Sequence, residues 1–538
     1  MGGRGVKFLA LIGLSCFVSG CIMPGESDFT SSKSGSSVGG SGSVSALSVI
    51  PSGTHVSISP SLAQSVFIGD SVSFAITPSS GFILSQSVGG TCPSGHWIGL
   101  VYVTGLVRSN CTVSFSASPE PSPSPSVSMS PIPGGAEMVS VGGTGNCIVS
   151  GEGGNVWCWG YNQTAVNGSA LGVNTDYYFQ TVPAEVVGSG DSGFLSSITS
   201  VSAGGSYCAL TSGGNVYCWG PNGSGQLGNY TATNNQNSPV QVLAVGGSGF
   251  LSGISQVSVG GSFSCALSST GHVYCWGDNT YGQLGYGASG GSVTIPVEVS
   301  GVGGSGFLSN ISQITAGGMH ACALSLSGNV YCWGSNGNGQ IGNNSTTQAN
   351  SPVEVVSVFG TGNLDSISQI SAGYEMTCSL SSSENVYCWG ANSVDGVFGN
   401  EFASASAQTI PIEIMGVNGS GSLSDVIQIS AGYGGACALT SAKNVYCWGD
   451  PQITNAQSAY PAEILGVGGT GDLTDIIYVS FSSSDTVVCV QSLSGSVYCW
   501  GDASLGNLGN NTSWSGPGAP GDTLGVSSSS VPVEVWGL

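Results

Sequence analysis

One phrase recurs seven times along this chain. It reads Val156-Trp157-Cys158-Trp159-Gly160 first, then Val-Tyr-Cys-Trp-Gly in copies ending at Gly220, Gly277, Gly334, Gly390, Gly449 and Gly501. The copies lie 52 to 60 residues apart. A fixed period of this size marks a repeat architecture, and a β-rich unit of this length suits a propeller blade.

Each unit carries the same pieces. In the second they are Ser200-Val201-Ser202-Ala203-Gly204-Gly205, Tyr207-Cys208-Ala209-Leu210, Asn215-Val216-Tyr217-Cys218-Trp219-Gly220, then a polar loop and Ser238-Pro239-Val240-Gln241-Val242. Short β-branched and aromatic runs bounded by Gly, Ser and Asn read as strands. Their apolar residues are continuous rather than alternating, which fits blades buried on both faces. The expected fold is all-β: a seven-bladed β-propeller over 137–538, closed by a C-terminal strand and preceded by a small β-sandwich-like module. The Pro-Val-Glu-Val piece also occurs seven times, and the last copy, Val531–Val535, ends the chain. The first cysteine hairpin has no copy before it. The terminal copy is therefore expected to complete the blade holding Cys147 and Cys158, a strand exchange that would leave no open sheet edge.

The chain has 18 cysteines. Cys16 and Cys21 lie in the leader. The others fall into neighbouring pairs. These are Cys92 with Cys111, Cys147 with Cys158, Cys208 with Cys218, Cys265 with Cys275, Cys322 with Cys332, Cys378 with Cys388, Cys437 with Cys447, and Cys489 with Cys499. In a hairpin that turns near Gly213, positions 208 and 218 face each other at about 4.5–5.5 Å between Cβ atoms. That spacing suits a cross-strand disulfide, and so an oxidising compartment. A zinc site is disfavoured. There is no Cys-x-x-Cys pair, and the only histidines are His55, His96, His272 and His320.

The N-terminus has two positive charges, Arg4 and Lys7, before a short apolar run from Phe8 to Val18. This describes a secretory signal over 1–20. It ends in Val18-Ser19-Gly20-Cys21, which resembles a bacterial lipobox. The resemblance implies acylation of Cys21, and Ile22 after it implies sorting to the outer membrane. Residues 21–43 read as a Ser/Gly-rich tether, and 118–136 as a stiffer Pro/Ser linker. The stretch 44–117 resembles a repeat module of bacterial surface proteins, on Gly69 to Phe74, Ile76 to Phe82, Cys92 and Asn110 to Phe115.

The formal net charge is −22, yet only 6% of residues are charged. After Cys21 the basic residues are Lys33, Arg108 and Lys443. Such a surface cannot neutralise phosphates, so no nucleic-acid partner is expected. Gly223-Ser-Gly225-Gln-Leu-Gly228 and Gly337-Asn-Gly339-Gln-Ile-Gly342 match Gly-x-Gly-x-x-Gly. They lack the βαβ context of a dinucleotide site, so the glycines read as turn residues. No catalytic group, cofactor or metal site is expected. His320 reads as structural, His272 as solvated in a hairpin turn, and the recurring Glu298, Glu354, Glu413, Glu463 and Glu534 as structural. A calcium ring would need a denser Asp loop.

The unit Ser-Ala-Gly-Gly … Cys-Ala-Leu … Gly-x-Val-Tyr-Cys-Trp-Gly-x-Asn-x-x-Gly-Gln-Leu-Gly resembles the regulator of chromosome condensation repeat. The copies Val257–Gly285 and Ile314–Gly342 carry it most clearly, and the resemblance covers 137–538. It implies a seven-bladed propeller. Repeat six departs from the pattern, with Asp450-Pro451-Gln-Ile-Thr-Asn in place of Gly-Gln-Leu-Gly, so that loop is expected to be reshaped. The founder's chromatin role does not suit a secreted, acidic, disulfide-rich chain. A propeller-type bacterial β-lactamase inhibitor shows the scaffold serving as a pure protein binder.

The long loops after each Trp-Gly are rich in Ser, Asn, Gly and Tyr, a composition suited to recognition. Tyr161, Tyr177, Tyr178, Tyr230, Tyr281, Tyr286 and Trp514 are the candidate binding residues. The reading is a lipid-anchored, monomeric binding module for a protein or carbohydrate, touching the membrane through its anchor alone. The alternatives are a propeller hydrolase or lyase, which would need clustered carboxylates or a metal on the central face, and a structural envelope component.

Overall fold

The computed structural model describes residues 47–537, apart from 80–81, 85–87, 99–100, 120–135, 152, 165–167, 174, 176–178, 233–234, 393–397, 400–406, 455–459, 504 and 511–527. The leader, Cys21, the tether, most of the Pro/Ser linker, Tyr177, Tyr178 and Trp514 lie outside the described residues. The chain divides into two compact units between Glu120 and Pro121.

The smaller unit is built from two sheets of short strands. Its first strand, Leu47–Thr54, runs parallel to its last, Cys111–Pro119, with Val49 opposite Cys111. Apolar and polar residues alternate along Ser73–Pro78, which places Phe74 and Ile76 inside with Val49, Val113 and Phe115. The rings of Phe74 and Tyr102 pack on Phe115 at 6.1 and 5.6 Å between centroids. A disulfide joins Cys92 to Cys111.

The larger unit is a ring of seven four-stranded antiparallel sheets. The blades, numbered in chain order, cover 136–185, 198–241, 254–298, 311–354, 367–413, 426–463 and 476–534. The first strand of each lies innermost and the Pro-Val-Glu-Val strand outermost. The second strands are buried along their length, as in Phe263–Ser268 and His320–Ser325.

In every blade the two cysteines are direct cross-strand partners. Cys147 stands opposite Cys158, Cys208 opposite Cys218, Cys265 opposite Cys275 and Cys322 opposite Cys332. In the later blades Cys378 stands opposite Cys388, Cys437 opposite Cys447 and Cys489 opposite Cys499. Each pair is joined by a disulfide, with Cα atoms 4.1 Å apart in all seven. Each closes a short loop and stabilises its blade by about 2–3 kcal/mol in the chain-entropy account.

The ring closes differently from the sequence expectation. The terminal strand Ser528–Glu534 pairs within its own blade, with Val533 opposite Cys499. The blade holding Cys147 and Cys158 is completed by Phe179–Glu185, with Ala184 opposite Cys158. Each outer strand follows its own cysteine hairpin, so none is exchanged.

Closure rests instead on side chains. Ser140, Ser202, Ser258, Thr315, Ser371, Ser430 and Ser480 stand at one register of the seven inner strands. Their hydroxyl oxygens accept hydrogen bonds of 2.9–3.1 Å from the backbone N–H groups of Ala203, Val259, Ala316, Ala372, Ala431, Phe481 and Val141 in the next blade. The last of these, Val141 to Ser480, joins blade 1 to blade 7. At the same seam Val139, Val141 and Trp159 pack against Val487, Val497, Leu508 and Val535. Asn146 and Trp159 both donate to the Asn507 carbonyl, at 2.7 and 2.9 Å.

Indole N–H groups stitch five of the other six seams, while at the seam between blades 5 and 6 the Trp448 N–H is buried without a hydrogen-bond partner among the described residues. Trp219, Trp276, Trp333, Trp389 and Trp500 donate to the carbonyls of Leu171, Gln226, Gln283, Gln340 and Ile453 in the preceding blade at 2.8–3.0 Å. The inner turns touch backbone to backbone. Gly205 donates to the Gly260 carbonyl at 2.9 Å. A Cβ on Gly205 would stand 1.7 Å from the Gly261 oxygen, so only glycine fits that approach.

Candidate functional site: the two faces of the ring

Antiparallel blades give the ring two distinct faces. The turns between first and second strands share one with the long loops after Trp-Gly, as hydrogen bonds from Asp278 to Ser262 and from Ser335 to Met319 show. This is the mouth face. The cysteine-hairpin turns share the other with the connectors between blades, through bonds such as Ser212 to Ser197 and Leu326 to Asn310. This is the hairpin face.

On the mouth face the long loops are tied down from within. Asn222, Asn279 and Asn336 are buried. Their side-chain oxygens accept from the backbone of Leu227, Leu284 and Ile341 at 3.0–3.1 Å. Their amide groups donate to the carbonyls of Thr231, Ala288 and Ser345 at 2.9–3.1 Å. Gly225 and Gly228 take φ of +77° and +66°. The Gly-x-Gly-x-x-Gly match is therefore a turn held by Asn and Gln, and no helix follows it. In blade 6 the expected departure is a single helical turn, Pro451–Thr454, in which the Asp450 carboxylate accepts from Gln452 N at 2.8 Å.

The candidate tyrosines divide. Tyr230 and Tyr281 are exposed. Tyr286 is half-buried against the core between blades 3 and 4. The Tyr161 ring packs 5.9 Å from Phe179. The sequence reading missed Tyr374 and Tyr433, which pack edge to face at 5.5 Å on the inner turns of blades 5 and 6. Their signal was present: Ala-Gly-Gly of other repeats becomes Ala372-Gly373-Tyr374 and Ala431-Gly432-Tyr433.

Among the described residues, no three His, Cys, Asp or Glu side chains converge on a metal position. Asp485, on the inner turn of blade 7, accepts from Thr486 N at 2.8 Å and from the Asn507 amide at 3.1 Å. Burial pushes its pKa up to about 6, helped by the Asp502 charge. His320 is buried between blades 4 and 5, 2.9 Å from the Thr377 hydroxyl. Burial lowers its pKa to about 4, so it stays neutral. His272 corrects the sequence reading. Its Nδ1 lies 2.8 Å from Glu298 Oε1 instead of facing solvent alone. The recurring glutamates sit at outer-strand ends across from the blade tyrosines, as Glu298 from Tyr274 and Glu354 from Tyr331.

The hairpin face differs in character. Among the described residues, the exposed large apolar side chains of the mouth face are Phe179, Tyr230, Tyr281, Met319 and Tyr433, and the hairpin face holds the rest of the propeller's. Phe194, Phe250 and Phe307 occupy one register in three successive connectors and are 57%, 56% and 61% exposed. Each is bridged to the strand leaving the blade before it, at Val187, Leu243 and Ser300. Each is followed by a buried leucine, Leu195, Leu251 or Leu308, that pins the loop to the core. Phe359, in the fourth connector, is 87% exposed. Phenylalanine held in solvent at one register of three successive connectors leaves apolar area uncovered, which is costly in water.

Models of the regulator of chromosome condensation (RCC1) repeat match residues 198–226, 254–283, 311–340, 367–395 and 426–452, and a second such model matches 213–267, 270–324 and 327–380. The propeller belongs to the RCC1 repeat family. The second model's segments run from the third strand of one blade to the second strand of the next, so the repeat in sequence is offset from the blade in space. The RCC1 propeller is 30% identical over 254 residues to the Ultraviolet-B receptor UVR8 of Arabidopsis thaliana, covering 47% of this chain and 53% of the receptor. It is 34% identical over 182 residues to human HERC6, a probable E3 ubiquitin-protein ligase, covering 33% of this chain and 17% of the ligase. The chain thus spans about half or less of the length of these relatives. Human WBSCR16 superposes with a TM-score of 0.56 at 19% identity, over 71% of this chain and 93% of that one. Yeast RCC1 (Prp20) bound to Kap60 superposes at 0.52 and 22%, over 64% and 78%.

Proposed function

We propose that the RCC1 propeller is a protein-binding module held at a bacterial cell envelope by acylation of Cys21, and that its hairpin face is the working surface. One observation carries the choice of face: the arc of Phe194, Phe250 and Phe307, exposed at equal register on connectors pinned by buried leucines. The scaffold's use elsewhere supports binding over catalysis. Yeast RCC1 was solved with Kap60, and Prp20p is described with its binding to Gsp1p and histones. The secretory start, the lipobox-like Val18-Ser19-Gly20-Cys21 and sixteen cysteines in neighbouring pairs support an extracytoplasmic, tethered setting.

Site-specific photo-crosslinking tests the face. A photoreactive phenylalanine at position 250 or 307 is expected to yield a discrete protein adduct in cells, and the same group at 281 none. Adducts at 281 alone would move the working surface to the mouth face. The tether is tested by Cys21→Ala, expected to release the protein from membranes and abolish labelling by a fatty-acid probe. Unchanged labelling and sedimentation with membranes would remove the anchor from the reading.

A further inference from the structure

We infer that the hairpin face is bipartite and fits a partner that presents basic side chains beside apolar ones; this rests on the proposed reading of that face as the working surface. The repeat lets equivalent positions be compared around the ring. The register that holds Phe194, Phe250 and Phe307 in the first three connectors holds Asn363, Ser422 and Asp472 in the next three. The residue entering the inner strand is Ser197, Gly253 and Asn310 in the first half, then Ser366, Asp425 and Asp475. At these two registers phenylalanine gives way to aspartate in the later connectors, while the first connector carries one exposed aspartate of its own, Asp191.

The outer-strand glutamates are more exposed in the last three blades than in the earlier ones. Glu185 and Glu298 are part-buried and engaged, by the Asn155 amide at 2.7 Å and the His272 ring at 2.8 Å. Glu413, Glu463 and Glu534, in the later blades, are exposed, Glu413 accepting from the Ser422 hydroxyl at 2.7 Å and Glu463 from the Asn444 amide at 2.9 Å, and Asp365, Asp425, Asp472 and Asp475 are exposed as well. Lys443 is the basic residue among them in this half. The acidic half also holds an open groove of about 560 Å³ between the fifth connector and blade 6, lined by Ser422, Asp425, Ser441, Asn444 and Tyr446 among others.

Charge complementarity selects the occupant. Exposed carboxylates facing one lysine raise the local concentration of cationic partners and repel anionic ones. A second copy of this chain, with formal net charge −22, is repelled. An anionic bilayer is repelled for the same reason. A cationic protein surface with an apolar strip satisfies both halves: its apolar groups cover the phenylalanine arc while its Lys or Arg side chains meet the aspartates.

The test uses the mature chain, 21–538, and two amphipathic peptides of about 18 residues with the same leucine face, one carrying lysine on the polar face and the other glutamate. Binding is read by fluorescence anisotropy at about 20 and about 300 mM NaCl, between which screening lengths differ severalfold. The lysine peptide is expected to bind, and to bind about tenfold more weakly at the higher salt. A triple variant with Phe194→Ser, Phe250→Ser and Phe307→Ser should weaken it about tenfold at both salts. A second triple variant with Asp425→Asn, Asp472→Asn and Asp475→Asn should weaken it at low salt and flatten the salt dependence. All six positions are exposed, and unchanged melting temperatures would show that the fold is intact. Equal binding of the glutamate peptide through the phenylalanines would overturn the bipartite surface and leave the phenylalanine face standing. Weakening by the asparagine variant alone would overturn the phenylalanine face. Failure of either peptide to bind, or indifference to both variants, would overturn both.

Discussion

Trp333→Ala is expected to lower the stability of the propeller by about 4 kcal/mol, in the range for truncating a fully buried Trp. Trp333 is completely buried between blades 3 and 4, in a cluster with Phe263, Leu284, Val299 and Ile314. Its N–H donates to the Gln283 carbonyl at 2.9 Å. Truncation leaves a cavity in the seam and takes that donor away. The next seam supplies a control. Trp389 donates to the Gln340 carbonyl, which also accepts from the Thr377 hydroxyl at 2.9 Å. Position 321, where the earlier seam would need such a hydroxyl, is alanine. Trp389→Ala should therefore cost about 1 kcal/mol less than Trp333→Ala, the net worth of one retained hydrogen bond. Denaturant titration with the disulfides intact measures both. Losses below about 1 kcal/mol for Trp333→Ala would show that the indoles fill the seams without holding them.

The repeat made much of this fold legible. Cysteines ten residues apart around a Gly or Ser turn place two thiols opposite each other in any tight hairpin, and the chain has no other way to pair them locally. The outer strand was harder. Pro-Val-Glu-Val stands midway between two cysteine hairpins, and period alone does not say whether it joins the one before or the one after. The inner-strand serines that close the ring carry no signal either, because Ser-Val-Ser-Ala resembles any polar strand until the next blade's N–H is seen beside it. Which face works was not legible in the loops, for a physical reason. Long loops rich in Tyr and Asn suggest adaptability, yet Asn222 and its equivalents spend their hydrogen bonds on the loops' own backbone. The face proposed here rests on the short connectors instead, through the recurring Gly-Phe-Leu-Ser at 193–196, 249–252 and 306–309. Leucine in that pair is the anchor, and phenylalanine is what the anchor presents.

His320→Phe is expected to remove a loss of stability that the chain suffers in mild acid. The Thr377 hydroxyl donates to the Gln340 carbonyl, so it accepts from His320 Nε2 at 2.9 Å. That fixes the neutral tautomer, and Nδ1 is buried with no hydrogen-bond partner. A second proton would add an N–H and a charge where nothing receives them. Burial accordingly lowers the pKa from 6.5 to about 4. The unfolded chain takes up a proton as the pH falls below 6.5, while the folded chain resists until about 4. Stability is thus full above pH 6.5 and is lost as the pH falls from there toward 4. At pH 4.5 the loss from this one group is about 2.5 kcal/mol. Asp485 acts with the opposite sign, because its raised pKa lets the folded chain bind a proton first, and it masks part of the loss. The difference between variant and parent at each pH isolates the histidine. Phenylalanine should fit, since Phe263 holds the same register in blade 3 and stands against Gly260 as His320 stands against Gly317. Relative to the parent, His320→Phe should gain about 2.5 kcal/mol between pH 7 and pH 4.5, as measured by denaturant unfolding at each pH. A difference that does not change with pH would mean that His320 is already charged in the folded ring or that water reaches its Nδ1.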